Sequence, residues 1–261
     1  MRVDALFDPI FLTPFLNGLL LTILLALVGP YVRMRGEWLA SLGIAQAAAA
    51  GQLLGTFVGT PTLGGLLAAA VAATAKALLG QRSGHDAYAV MLLVGWSAAL
   101  LLAANTARGE DLSRALLQGE LFFTGTPQLI GIGVLLGVVA ATLWWLSRPL
   151  LLGCLFPDHL VGESRTAARH GLQFEVLVAV SLALAASVVG VMAAFALVFV
   201  PAWVAFRFAG SWRAALGWSI ATGTLAYLAS FAIAVVLDQP YGPVLVAALL
   251  AAGIGRTSAR G

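Results

Sequence analysis

Three histidines, one cysteine and one lysine are the side chains here with the most telling chemistry, and their spacing builds no site. His85, His159 and His170 lie far from one another or in polar stretches. Each reads as a solvated loop residue rather than a metal ligand. Cys154 is alone, which excludes an intrachain disulfide, and it reads as a small hydrophobe near a membrane boundary. No Gly-rich loop runs into Lys-Ser or Lys-Thr, so no phosphate-binding loop is expected. Neither His-Glu-x-x-His nor Gly-x-Ser-x-Gly occurs. Lys76, near one end of an apolar stretch, is the only ionisable group expected inside one. An intramembrane enzyme would need buried ionisable catalytic groups, so this scarcity argues against one. It argues equally against a self-powered secondary transporter, which would also need an internal repeat that the chain does not clearly show.

The elements that must carry these residues are set by composition. Of 261 residues, 61% are hydrophobic and 10% charged, against roughly 25% charged in soluble domains. Such a chain cannot furnish a water-soluble surface, and lipid removes the need for one. The net charge of +3 comes from singly scattered arginines, which is no nucleic-acid footprint. The expected fold is all-α: a polytopic helical membrane protein forming one domain over residues 1–261. The start, Met-Arg-Val-Asp, does not read as a cleaved signal peptide.

Charge-poor runs at 9–32, 38–75, 87–107, 121–147, 175–206, 214–237 and 239–255 give the spans, each needing about 20 residues to cross the hydrocarbon. The run 38–75 is too long for one helix, and Gly59-Thr60-Pro61-Thr62 divides it. The run 175–206 is long for one span and short for two. Treating it as a pair turning near Gly190, with the N-terminus outside, places 11 of the 14 Lys and Arg inside, a strong positive-inside bias. Nine crossings are therefore expected, two of them short, with eight or ten as alternatives. Gly51, Gly55 and Gly59, and likewise Gly133 and Gly137, repeat every four residues, a spacing that lets helix backbones approach. The inside loop 148–173 is expected to hold a short polar surface helix beginning at Pro157, with Asp158 complementing its dipole. It is either a docking helix for a soluble partner or an ordinary loop helix.

Separated segments, in order along the chain, resemble the permeases of zinc and manganese ABC importers. Val189-Gly-Val-Met-Ala-Ala-Phe-Ala-Leu-Val-Phe-Val-Pro-Ala-Trp-Val-Ala205 resembles that family's Val-Gly…Leu-x-x-Pro-Ala-x-x-Ala pattern. Leu237-Asp-Gln-Pro-Tyr-Gly-Pro243 is similar to its Asp-x-Pro-x-Gly-Pro turn. Gly119-Glu-Leu with Thr126-Pro127, Gly29-Pro30 with Arg33 and Arg35, and Phe156-Pro-Asp158 follow family patterns too. The resemblance implies a bacterial inner-membrane permease that pairs with a second copy, identical or different, around one path. It further implies a dimer of ATPase subunits that alone use ATP, and an extracytoplasmic metal-binding protein. This chain would bind no cofactor.

By the same resemblance the segment 156–170 couples to the ATPase through Pro157, Asp158, His159, Gly162, Glu163 and Arg165. Glu120 and Asp238 would lie on the outer docking side. The family's Asp-x-x-x-His pair on the second helix falls here on Leu42 and Gln46, and a further family His falls on Trp96. None of these replacements is a good ligand for Zn²⁺ or Mn²⁺, so no metal ligand is assigned. Ser41, Gln46 and Gln52 are the candidate path-lining residues, with helix–helix hydrogen bonding as their other role. The cargo could then be a hydrated ion, a chelate or another solute, or a second, different permease could carry the ligands.

Overall fold

A computed structural model describes residues 9–79, 84–105, 119–155 and 164–255. Among these are nine α-helices: α1 (Leu12–Met34), α2 (Trp38–Thr56), α3 (Pro61–Leu79), α4 (Gly84–Ala104), α5 (Thr126–Leu155), α6 (Ser164–Val189), α7 (Val191–Phe208), α8 (Trp212–Leu237) and α9 (Tyr241–Gly255). Six of the helical segments are long and apolar enough to cross a membrane; α3 and α9 are shorter apolar helices. With alternating direction, one end of the bundle collects Arg33, Arg35, Lys76, Arg148, Arg169 and Arg207, and is called here the basic end.

The chain breaks where backbone chemistry demands it. Gly59, at φ +75°, ends the α2 turn, and Pro61 starts α3, where a missing N–H costs nothing. Gly190, at φ +88°, separates α6 from α7, as the paired reading of 175–206 requires. Asp238 closes α8 in the left-handed region at φ +53°, its N–H donating to the Ala234 carbonyl.

The α6–α7 pair is not two short helices, however. α6 begins at Ser164 and runs 26 residues, and α5 continues through Pro149 to Leu155. The expected inside loop 148–173 is therefore corrected in its bounds: residues 148–155 belong to α5 and residues 164–173 to α6, while the start of the expected surface helix at Pro157 lies outside the described residues. Arg169 and His170 ride on the first turns of a spanning helix. A helix satisfies its own backbone wherever water thins out, and Gly171 alone is too weak a breaker to stop it.

The helix α1 runs through the centre, packed by α5, α6, α7 and α8. Pro30 sits inside it and cannot donate to the carbonyl four residues back. That carbonyl belongs to Ala26, and it accepts instead from Ser219 Oγ of α8 at 2.7 Å. Near the other end of α1, Tyr227 Oη donates to the Phe15 carbonyl at 2.6 Å, and Asn17 Nδ2 donates to Thr124 Oγ1 at 2.9 Å. These bonds stitch α8 and the 121–125 segment to the central helix.

Glycine packing holds for one expected pair of helices and not the other. A Cβ on Gly51 or Gly64 would collide with backbone or Cβ atoms of the opposing helix, so α2 and α3 touch backbone to backbone. Gly133 and Gly137 face nothing of that kind: a Cβ at Gly133 would meet only Leu20 at 3.9 Å, and one at Gly137 has no neighbour within 4 Å.

Candidate functional site

The strongest polar feature is at the basic end and joins four helices. Lys76, on the last turn of α3, is buried and paired with Glu175 of α6. Lys76 Nζ also lies 2.9 Å from Glu37 Oε2 at the head of α2. Arg35, at the end of α1, makes a two-pronged bond to Glu37 at 2.8 and 2.9 Å and reaches Glu175 Oε1 at 3.3 Å. Two cations and two carboxylates thus neutralise one another, with only 5% of the Lys76 and Glu175 side chains accessible. Burial pushes the Glu37 carboxyl up, but the Arg35 bond and charge, helped by Lys76, outweigh it and hold Glu37 below its ordinary range. Arg35 is partly buried too, and its carboxylate partners more than offset that, raising it above its ordinary range.

Lys76 was the only ionisable group expected inside an apolar stretch; it is instead buried together with Glu175. The sequence did carry the signal. Glu175 is the one charge at the head of the 175–206 run, and a carboxylate there has to be paired when buried.

The three predicted polar residues of α2 do not converge. At 100° per residue, Ser41 and Gln52 share a face while Gln46 looks well away from them. All three are buried. Ser41 Oγ donates to the Trp38 carbonyl of its own helix at 2.6 Å, and Gln52 Nε2 donates to the Ala183 carbonyl of α6 at 3.0 Å. Gln46 packs against α4 at Gly95, where an added Cβ would stand 3.0 Å from the Gln46 Cβ. Trp96 on α4 is 48% exposed, and Leu42 is half-buried.

At the end opposite the basic one, a crevice of about 480 Å³ opens between α2, α3, α5 and α6. Gln52 and Ser187 lie among its lining residues with Glu120, Thr124 and Gln128. Glu120 and Asp238 are both exposed at this end, but only Glu120 lines the crevice. Pro157, Asp158, His159, Gly162 and Glu163 lie outside the described residues, and of Arg165 only the backbone, in α6, is described. His170 stands edge-on to Trp145 at 5.4 Å. Among the described residues, no three His, Cys, Asp or Glu gather where they could hold a metal ion.

Residues 8–255, nearly the whole helical bundle, match the ABC 3 transport family. This chain belongs to the ABC 3 transport family. It is thus a multi-pass membrane protein of a transporter family, and all nine helices of the ABC 3 fold described above begin within the matched region. A curated relative, the high-affinity zinc uptake system membrane protein ZnuB of Haemophilus influenzae, is 27% identical over 130 residues. The alignment spans about half of each chain. Two solved structures share the ABC 3 chain's fold at 16% identity. PsaBC from Streptococcus pneumoniae in complex with Fab gives a TM-score of 0.84, covering 97% of this chain and 92% of that one. An inward-facing conformation described as a metal-chelate type ABC transporter gives 0.73, covering 98% and 89%.

Proposed function

We propose that this chain is the membrane-spanning permease of an ATP-driven bacterial importer that carries zinc or manganese into the cytoplasm. The observation that carries the reading is the match of one transport family across residues 8–255, joined to a relative named for zinc uptake. The basic end faces the cytoplasm of the inner membrane, by the positive-inside bias. The opposite crevice, with Glu120 at its rim and Asp238 nearby, faces the metal-delivering protein. Two permease copies flank the path, and separate ATPase subunits bind and hydrolyse ATP.

The segment 156–163 joins α5 to α6, and α6 carries Glu175 of the charge network. A methyl on Gly171 would stand 4.0 Å from Arg35 Nη2, so the first turns of α6 lie beside that network. An ATPase pressing on Pro157, Asp158, His159, Gly162, Glu163 and Arg165 would therefore move α6 against α1, α2 and α3 together. Gln46 is the path residue of α2 in this scheme. Ser41 and Gln52 lie on a different face of α2, and Gln52 opens onto the outer crevice.

A metal chelate is the second reading, favoured by Leu42, Gln46 and Trp96, which supply no inner-sphere ligand of the kind a bare dication needs. The deciding experiment measures cellular zinc and manganese in a deletion strain lacking redundant importers, grown with a chelator. A deficit restored by this gene is expected, and unchanged metal content rejects the first reading. Uptake of radiolabelled zinc, free or as a defined chelate, then separates the two cargoes. Co-purification of an ATPase, lost when residues 157–163 become a Gly/Ser linker, tests coupling; undiminished co-purification refutes it.

A further inference from the structure

A second cavity lies on the outside of the bundle. Between α5 and α6 runs an open groove of about 660 Å³. Its walls are mostly apolar, with Leu135, Val138 and Trp145 on one side and Val176, Leu177 and Val180 on the other, and Thr142 and Gln173 as the polar exceptions. From Leu135 to Trp145 it follows about 15 Å of helix, half the thickness of a bilayer's hydrocarbon. Trp144, 89% exposed, and Trp145, 62% exposed, mark its basic end, as aromatic residues do at headgroup depth.

One turn beyond Trp145 on α5 is Arg148. One turn before Gln173 on α6 are Arg169 and His170. The Trp145–His170 ring contact shows that the two helices lie side by side at this level. Both arginines are exposed, and neither is paired with a carboxylate among the described residues. An apolar slot one leaflet deep, ending in two guanidinium groups, is complementary in shape and charge to a phospholipid with an anionic headgroup. The groove also lies away from Gln46. α4, which packs on that residue, is held by α2, whereas α5 packs on α1 and α6.

We propose that the α5–α6 groove binds an anionic phospholipid of the inner leaflet, its acyl chain along Val138 and Leu177 and its phosphate between Arg148 and Arg169. The test is native mass spectrometry of the detergent-purified chain titrated with phosphatidylglycerol or phosphatidylcholine of equal chain length. Wild type should retain phosphatidylglycerol preferentially. Each arginine near an anionic group contributes about five-fold, so R148A/R169A should bind phosphatidylglycerol about 25-fold more weakly and phosphatidylcholine unchanged. R213A, which removes an exposed arginine from α8 at the same end, should not differ from wild type. Ala141→Phe, which fills the groove and spares both arginines, should lower retention of both lipids. Equal binding of the two lipids by wild type overturns the proposal, as does an equal loss in R213A. So does efficient disulfide dimerisation of Val138→Cys in native membranes, which would assign the groove to a second copy of the chain.

Discussion

Lys76 is the residue whose removal should be felt most. Replacing it with Met leaves Glu175 buried with only Arg35, at 3.3 Å, for a partner. Breaking a buried pair on one side typically destabilises by about 3–5 kcal/mol. K76M should therefore melt well below wild type in detergent, and K76M/E175M should recover much of the loss, because two apolar residues need no partners. If the double variant is no better than the single, the pair is not the coupled unit described here. Ser219→Ala strips the donor from the Ala26 carbonyl and should destabilise by about 1–3 kcal/mol. Adding Pro30→Ala restores the helix's own N–H at that position, so P30A/S219A should be more stable than S219A alone.

The sign of one pH effect follows from Glu37. Its folded carboxyl titrates below its ordinary range, so the stability it contributes is full above the unfolded value and fades as pH falls through the folded one. Thermal scans between pH 6 and pH 3 should show a decline that E37Q flattens. Nothing in residue type alone told which charges would meet. Arg35 and Glu37 are near neighbours, but Lys76 and Glu175 are 99 residues apart and only the helix packing joins them.

At the scale of elements, much was legible because the membrane makes composition speak. The Gly59–Pro61 break and the Gly190 turn were readable, since few residues accept those backbone angles. The α5 and α6 ends were not. A loop and a helix extended beyond the bilayer have similar polar composition, and only the absence of a strong breaker separates them. Glycine spacing was ambiguous for a related reason: it says that backbones can approach, not that a partner is there. The α2–α3 contact should therefore be intolerant. Gly64→Val should prevent correct packing, read as lost monodisperse protein on size-exclusion chromatography, whereas Gly137→Ala, with open space around it, should elute as wild type.

For the whole molecule, orientation rests on the distribution of arginines, and two reporters settle it. A fusion within 156–163 should label as cytoplasmic and one within 106–118 as extracytoplasmic; the reverse would invert every assignment of cargo entry and ATPase docking. The candidate path was the least legible part, because Leu42, Gln46 and Trp96 lack the chemistry that would mark a route for a bare ion. The four-charge cluster has a further consequence for how the protein is made. A bacterial ribosome adding about 5–20 residues per second needs on the order of 5–20 s to travel from Lys76 to Glu175. During that interval the first three helices sit in the bilayer with an unmatched positive charge, guarded only by Glu37. Nascent chains halted before residue 175 should consequently be degraded faster than chains halted just after α6, which pulse-chase labelling would reveal.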